Sequence, residues 1–224
     1  MEKVKLLLKG FVTNFVFSSI LFFCAGRLNY TQGWIFLSIN ILTTVMNYFT
    51  IHKNSELINE RSKPGEGIKY WDKLLLGLSA LTYVIIIVLA GLDSGRFQQT
   101  ADFNWKISIS GVILTLTGQI IFLAARSQNK FFSSVVRIQK DRGHFVCDTG
   151  IYKIVRHPGY LGMIISLTGL PLITTSAWSI FPTLIAIILL LIRTSLEDKS
   201  LINELDGYAE YANKTLYKLI PFLW

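Results

Sequence analysis

Apolar residues along this chain gather into six blocks of 14 to 21 residues, and polar segments separate the blocks. A helix that rises ~1.5 Å per residue needs about 20 apolar residues to cross ~30 Å of hydrocarbon. The pattern therefore predicts an all-α integral membrane protein. The blocks are residues 6–25, 34–51, 74–92, 105–125, 160–173 and 178–192.

The last two blocks are shorter than the first four. Pro171 and Pro182 interrupt them, and proline disturbs a regular helix. We expect residues 160–192 to form either a tight helical hairpin or a re-entrant pair. The sequence pattern alone therefore predicts five or six membrane spans.

The basic residues decide between these counts, because Lys and Arg accumulate on the cytoplasmic side of membrane proteins. With six spans and a cytoplasmic N-terminus, 19 of the 22 basic residues lie in the inner segments and three lie outside. We therefore expect six spans with both termini in the cytoplasm. The first block also resembles a signal peptide, although Phe22 and Phe23 are bulky where a peptidase needs small residues.

Composition supports the membrane interpretation, since 51% of the residues are hydrophobic and only 16% are charged. The net charge of +8 is compatible with nucleic-acid binding, but membrane topology explains the positions of the charges better. We expect membrane lipids as partners and no nucleic acid. Cys24 lies in an apolar block and Cys147 in a polar segment, so a disulfide between them is not expected.

The polar segment of residues 126–159 is longer than a simple connection needs. It ends in Arg156, His157 and Pro158, immediately before the fifth block. Proline suits the first turn of a helix, and a helix N-terminus favours an anion. The segment therefore predicts a site for a carboxylate or phosphate, although Arg and His before a helix are also common interface anchors.

Charged residues also follow the sixth block. Arg193 and Glu197 are four positions apart and share a helix face if the helix continues, and Asp198 comes next. Carboxylates at the end of a span indicate a functional role, whereas the simpler interpretation is an exposed ion pair of little energetic value. Residues 201–214 predict a cytoplasmic C-terminal amphipathic helix, broken or bent near Gly207, that covers a site or lies on the membrane.

Several possible metal ligands occur in and next to the long polar segment. His144, Cys147, Asp148 and His157 match no zinc spacing, and we predict no metal site.

The stretch from Arg156 to Gly162, Arg-His-Pro-Gly-Tyr-Leu-Gly, is followed by a hydrophobic hairpin and then Glu197 and Asp198. This order resembles the Arg-His-Pro-x-Tyr-x-Gly … Glu-Glu pattern of the isoprenylcysteine carboxyl methyltransferase family, which phospholipid methyltransferases share. The resemblance extends over residues 125–224, and Asp198 departs from it where the family usually has a second Glu. Residues 57–73, LINERSKPGEGIKYWDK, also look like prokaryotic members.

The resemblance implies an integral membrane methyltransferase that uses S-adenosylmethionine on the cytoplasmic side. Matched by motif, the cofactor-binding candidates are His144, Tyr152, Arg156, His157, Pro158, Tyr160, Glu197 and Asp198. The catalytic candidates are Arg193, Glu197 and Arg156. The implied division is a four-span membrane region in residues 1–125 and a methyltransferase core in residues 126–224, packed as one domain.

The acceptor stays open between an isoprenylcysteine-like carboxylate, a lipid amine and a thiol. A carboxylate is already ionised and needs a cation, whereas an amine or thiol must first lose a proton. The abundance of Ile, Asn and Lys indicates a prokaryotic plasma membrane. Two other functions compete: a small transporter or scaffold, which would be expected to have charges within its spans, and a membrane reductase that uses a nicotinamide cofactor.

Overall fold

The structure is a computed structural model that describes residues 2–51, 55–62, 64–100 and 103–224. Every regular element in these ranges is helical, and each of the six apolar blocks lies largely within a helix, as predicted. The α-helices are α1 (Glu2–Ala25), α2 (Thr31–Ile51), α3 (Ser55–Ser62), α4 (Tyr70–Ala90), α5 (Trp105–Gln128), α6 (Pro158–Thr174), α7 (Ile180–Glu204) and α8 (Tyr208–Lys214).

Four helical segments in the described ranges are long and apolar enough to cross a membrane: Leu7–Ala25, Tyr70–Phe97, Trp105–Gln128 and Ile180–Glu204. Helix α6 is apolar but has 17 residues, or about 25 Å at ~1.5 Å per residue. Helix α2 has 21 residues, but its apolar sequence contains several asparagines and threonines. The prediction of six complete spans therefore stays a prediction.

Helix α4 continues into a π-helical segment, Gly91–Phe97, so it extends beyond the predicted end of its block at residue 92. The segment contains Asp93, whose carboxylate is fully buried. This carboxylate accepts hydrogen bonds from the backbone and hydroxyl of Thr100, from the Ser176 hydroxyl at 2.7 Å and from the backbone N–H of Trp178 at 3.1 Å. These bonds tie the end of α4 to the turn between α6 and α7.

Helices α5 and α6 pack backbone against backbone. A Cβ atom added to Gly118 would lie 2.4 Å from the carbonyl oxygen of Gly162, and one added to Gly162 would lie 2.5 Å from the oxygen of Gly118. Such close approach is typical of membrane helices that meet through small residues. The Ser166 hydroxyl donates a hydrogen bond to the Thr115 carbonyl at 3.0 Å and reinforces the contact.

Helices α6 and α7 are joined by the short segment of residues 175–179, which is compatible with both predicted alternatives, the tight hairpin and the re-entrant pair. Pro158 begins α6, in agreement with the expected role of proline in a first turn. Pro182 lies in the first turn of α7, where a missing N–H breaks no helical hydrogen bond.

The C-terminal segment breaks where the sequence predicts. Helix α7 ends at Glu204, Gly207 has φ of +80°, and α8 begins at Tyr208. Leu205, Tyr208 and Tyr211 are buried against the long polar segment. We call this side of the bundle, where α5 ends and α6 begins, the polar end.

Candidate active site

A cavity of about 660 Å³ opens inside the bundle at the polar end. Its wall near the polar end contains charged and aromatic side chains of the 129–157 segment, α7 and α8. Its deeper wall is mainly apolar and includes Phe36, Leu76, Leu167, Leu170, Ile173 and Ala186. A cavity graded in this way suits a ligand, or a pair of ligands, with a polar and an apolar part.

Asp198 is the centre of a buried hydrogen-bond cluster beside this cavity. Its carboxylate accepts two hydrogen bonds from Arg156, from Nε at 2.8 Å and Nη2 at 2.9 Å. The Tyr208 hydroxyl donates to the same carboxylate at 3.1 Å, and His157 Nε2 lies 3.0 Å from it. Asp198 is only 2% exposed, so the carboxylate is compensated by partners instead of solvent.

The C-terminal tail completes this cluster. Arg156 Nη1 donates to the carbonyls of Thr215 and Leu216, both at 2.8 Å. Backbone N–H groups of Arg156 and His157 donate to the carbonyls of Tyr217 and Lys218, both at 2.9 Å. Four of the five N–H groups of Arg156 are therefore used within the chain. In the structure, the anion that the side chains of Arg156 and His157 bind is the carboxylate of Asp198.

Glu197 has different surroundings from its neighbour, because it lines the cavity and is only partly buried. Its carboxylate accepts a hydrogen bond from the Tyr160 hydroxyl. Among the residues that the structure describes, no Lys, Arg or His forms an ion pair with Glu197. This carboxylate is thus available to a positively charged ligand.

Arg193 lies on the same helix but pairs elsewhere. Its Nε donates to Asp72 Oδ1 at 2.7 Å, and its Nη2 donates to Asp72 Oδ2 at 3.2 Å. Asp72, in the first turn of α4, is fully buried and also accepts from the backbone N–H of Val136 at 2.8 Å. The guanidinium lies 5.4 Å from the ring centre of Tyr160. The interpretation of Arg193 and Glu197 as an exposed ion pair is therefore wrong.

His144 contributes a neutral aromatic surface to the cavity wall. Burial, and to a smaller degree the charges of Arg142 and Arg137, lowers the pKa of His144 from 6.5 to about 4. Its Nδ1 accepts a hydrogen bond from the backbone N–H of Gln139 at 3.3 Å, which is consistent with a neutral ring. The ring packs against that of Phe131, with the two centres 4.5 Å apart.

The structure brings most of the predicted site residues to one cavity. Its lining includes His144, Tyr152, Arg156, His157, Tyr160, Arg193 and Glu197. Two predicted residues, Pro158 and Asp198, are buried and lie outside the lining. Pro158 starts α6, and Asp198 holds Arg156 and His157 in place.

Sequence reasoning missed the contribution of α3 and α4. Glu60 of α3 forms a buried ion pair with Arg137 at 2.7 Å, and Asp72 of α4 holds Arg193. Arg61, the next residue of α3, lines the cavity. A carboxylate two residues into a membrane helix is unusual enough to have indicated Asp72. Its distant partner, 121 positions along the chain, has no local signal.

Part of this chain is similar to a known protein family. Residues 111–203 match the model described as the isoprenylcysteine carboxyl methyltransferase (ICMT) family. A rice (Oryza sativa subsp. indica) protein named "Probable protein-S-isoprenylcysteine O-methyltransferase" is 33% identical over 66 residues, which are 29% of this chain and 35% of that protein. The chain thus matches about a third of the length of this relative.

Two further relatives have the same kind of name. "Protein-S-isoprenylcysteine O-methyltransferase A" of Arabidopsis thaliana is 31% identical over 98 residues, 43% of this chain and 45% of that protein. "Protein-S-isoprenylcysteine O-methyltransferase" of Saccharomyces cerevisiae is 27% identical over 194 residues, 81% of this chain and 73% of that protein. With the four membrane-length helical segments, the matches identify an integral membrane protein. Residues 111–203 therefore match the isoprenylcysteine carboxyl methyltransferase family, which confirms the resemblance seen in the sequence.

Proposed function

We propose that this protein is a membrane methyltransferase that transfers a methyl group from S-adenosylmethionine to a lipophilic acceptor. The observation that carries the proposal is the graded cavity, with Glu197 at its polar end and an apolar wall deeper in the bundle. The printed names of the relatives support the reaction class, since each names an O-methyltransferase acting on isoprenylcysteine.

The polar end faces the cytoplasm in this proposal. The basic residues support the orientation, because 19 of 22 fall on one side when all six apolar helices cross the membrane. Both termini and the active site are then cytoplasmic, as expected for an enzyme whose donor is a water-soluble metabolite. The uneven distribution of Lys and Arg does not identify the host membrane. A prokaryotic plasma membrane stays our expectation.

The cavity wall fits the chemical groups of S-adenosylmethionine. The donor carries a positive sulfonium and an ammonium, and Glu197 offers a carboxylate without a cationic partner among the described residues. Its adenine needs an apolar or aromatic slot, and His144, Phe131 and Phe145 supply one. Tyr152 and Tyr160 complete this part of the wall.

The bound donor supplies a methyl group on an excellent leaving group, so catalysis depends mainly on alignment and exclusion of water. Transfer would form a bond from the acceptor atom to the methyl carbon, break the sulfonium C–S bond and leave its electron pair on the sulfur of the departing thioether. Tyr160 orients Glu197 by its hydrogen bond, and Asp72 orients Arg193. Arg156, His157 and Asp198 fix the entry of α6 and the tail that encloses the site.

The acceptor enters from the membrane in this proposal, between helices, because the apolar wall of the cavity lies within the bundle. A prenylcysteine carboxylate, a lipid amine and a lipophilic thiol all fit the graded cavity. Glu197 is placed to accept the proton that an amine or thiol must lose.

Binding of the methyl donor to the purified protein in detergent tests the proposal. We expect saturable binding of S-adenosylmethionine, weakened at least tenfold by Glu197→Gln, or about 1.4 kcal/mol. The matched control is Glu204→Gln, on the same helix but paired with Lys69 outside the cavity. We expect the control to bind like the wild type.

Three results would contradict the proposal or the role of Glu197 in it. Folded wild-type protein that binds no S-adenosylmethionine would exclude the donor. Saturable binding of NADPH in its place would favour a membrane reductase. Equal losses in Glu197→Gln and Glu204→Gln would exclude Glu197 as the group that contacts the donor.

A further inference from the structure

Arg61 lines the cavity from α3, and its position is fixed by the rest of that helix. Leu57 and Ile58 are almost fully buried and pack against Phe132. Glu60, the residue before Arg61, is held by Arg137 Nη2 at 2.7 Å and by the Ser133 hydroxyl at 2.9 Å. Arg61 is therefore carried by a helix that is anchored to the long polar segment.

Among the residues that the structure describes, Arg61 is the only arginine of the cavity wall without a carboxylate partner. Four arginines line the cavity, and three of them have carboxylate partners. These pairs are Arg137 with Glu60 and Asp141, Arg156 with Asp198, and Arg193 with Asp72. Arg61 forms neither a hydrogen bond nor an ion pair within the described part of the chain.

An uncompensated guanidinium in a partly enclosed site is unfavourable unless an anion joins it. Burial, followed by the nearby charge of Arg193, lowers the pKa of Arg61, but an arginine keeps its proton in proteins. The side chain is partly buried and open to the cavity, so a ligand in the cavity is able to reach it.

Glu197 is the opposite case on the same wall, a carboxylate without a cationic partner among the described residues. A methyl donor with a net positive charge compensates Glu197. The carboxylate of the donor is offset by its own ammonium, so a second ligand with a negative charge is needed to compensate Arg61. The two open charges of the wall thus match a cationic donor together with an anionic acceptor.

We propose that Arg61 is a specificity-determining residue that binds the anionic headgroup of the methyl acceptor. This inference rests on the proposed function, and it selects one of the three acceptor classes left open above. A carboxylate gains an ion pair with Arg61, whereas a protonated amine is repelled and a neutral thiol gains little. Arg61 lies outside residues 111–203, so the specificity is carried by the N-terminal half of the chain.

The test compares two acceptor analogues that differ only in charge. N-acetyl-S-farnesylcysteine carries a free carboxylate, and its primary carboxamide has the same shape without the charge. Their dissociation constants are measured by intrinsic tryptophan fluorescence on the full-length protein in detergent, without methyl donor. We expect the wild type to bind the carboxylate at least tenfold more tightly than the carboxamide, or about 1.4 kcal/mol.

Variants at Arg61 separate its charge from its structural contribution. We expect Arg61→Gln to reduce the tenfold preference to less than twofold and Arg61→Lys to retain most of it. S-adenosylmethionine binding should stay within twofold of wild type in both variants, which shows that they are folded and that Arg61 does not hold the carboxylate of the donor. A larger loss in Arg61→Gln than in Arg61→Lys would assign Arg61 to the donor and overturn the inference. Arg96→Gln, an exposed arginine at the opposite end of the bundle, is the control for a general loss of positive charge.

A carboxylate preference that survives in Arg61→Gln would overturn the inference. Equal binding of both analogues by the wild type would also overturn it. If the wild type binds S-adenosylmethionine but neither analogue, the role of Arg61 fails and the donor part of the proposed function stands. If the wild type does not bind S-adenosylmethionine, the proposed function itself fails.

Discussion

Glu197 and Asp198 are adjacent acids with different surroundings, and their substitutions are predicted to change the stability of the protein by very different amounts. Asp198→Asn keeps the size of the side chain but removes the negative charge beside Arg156 and His157. The guanidinium of Arg156 then has no carboxylate partner among the described residues. Removal of one partner of a buried ion pair is strongly destabilising, because a charge is left uncompensated.

The size of the effect follows from the contacts of Arg156. Such a loss costs about 3 to 5 kcal/mol, and we expect the lower end because Arg156 still donates to the carbonyls of Thr215 and Leu216. With about 2 to 4 °C per kcal/mol for a chain of this size, about 3 kcal/mol lowers the melting temperature by about 6 to 12 °C. Glu197 has a single described hydrogen-bond partner, Tyr160, so Glu197→Gln should cost less than about 1 kcal/mol.

Thermal unfolding in detergent measures these effects, with limited proteolysis of the C-terminal tail as a second readout. We expect Asp198→Asn to melt early and lose its tail to protease, because the tail is held by Arg156 and His157. Asp206→Asn, at an exposed position after α7, is the control for loss of a negative charge. A melting temperature for Asp198→Asn within 2 °C of wild type would refute the structural role of Asp198.

Three further predictions test other parts of the structure by thermal unfolding. Gly118→Ala places a Cβ against the backbone of α6 and should cost about 1 to 3 kcal/mol, whereas Gly77→Ala, with no heavy atom within 4 Å, should be neutral or slightly stabilising; equal effects would contradict the α5–α6 contact. Asp72→Asn leaves Arg193 without its carboxylate and should cost about 3 kcal/mol; an unchanged melting temperature would contradict this ion pair. Burial lowers the pKa of His144 from 6.5 to about 4, so the stability that the neutral ring contributes is complete above pH 6.5 and is lost as the pH falls towards 4. His144→Gln should therefore lose less stability than the wild type between pH 7 and pH 5, and identical losses would exclude His144 as a source of the acid sensitivity.

The helices could be predicted from the sequence because their signals are local. The apolar blocks and Pro158 identify the main helices and the start of α6, and Gly207 identifies the break before α8. The end of α4 was missed, since Asp93 and its polar neighbours do not resemble the interior of a membrane helix. Their hydrogen bonds to the α6–α7 turn make the extension stable.

The site could be predicted only in part, for a related reason. Motif and helical spacing predicted Arg156, His157, Tyr160 and Glu197 as site residues, and all four line the cavity. The motif and the spacing gave no information on which carboxylate compensates which cation. Asp72 is far from Arg193 in the sequence, and the pair exists only because α4 and α7 pack together.

The role proposed for Arg61 also could not be predicted from the sequence. In the sequence Arg61 is one basic residue among many on the predicted cytoplasmic side. Its importance comes from the absence of a partner among the described residues, and this is visible only when the neighbouring ion pairs are known. A property of this kind depends on packing and has no signature in hydropathy or spacing.

The most direct test of the proposed activity is transfer of a labelled methyl group. Full-length protein in lipid nanodiscs is incubated with methyl-labelled S-adenosylmethionine and N-acetyl-S-farnesylcysteine, and the organic phase is analysed by mass spectrometry. We predict a labelled methyl ester whose formation requires both substrates and falls at least tenfold in Glu197→Gln, but stays near wild type in Glu204→Gln. Folded wild-type protein that binds both ligands and forms no methylated product would contradict the assignment of this cavity as a methyltransferase active site.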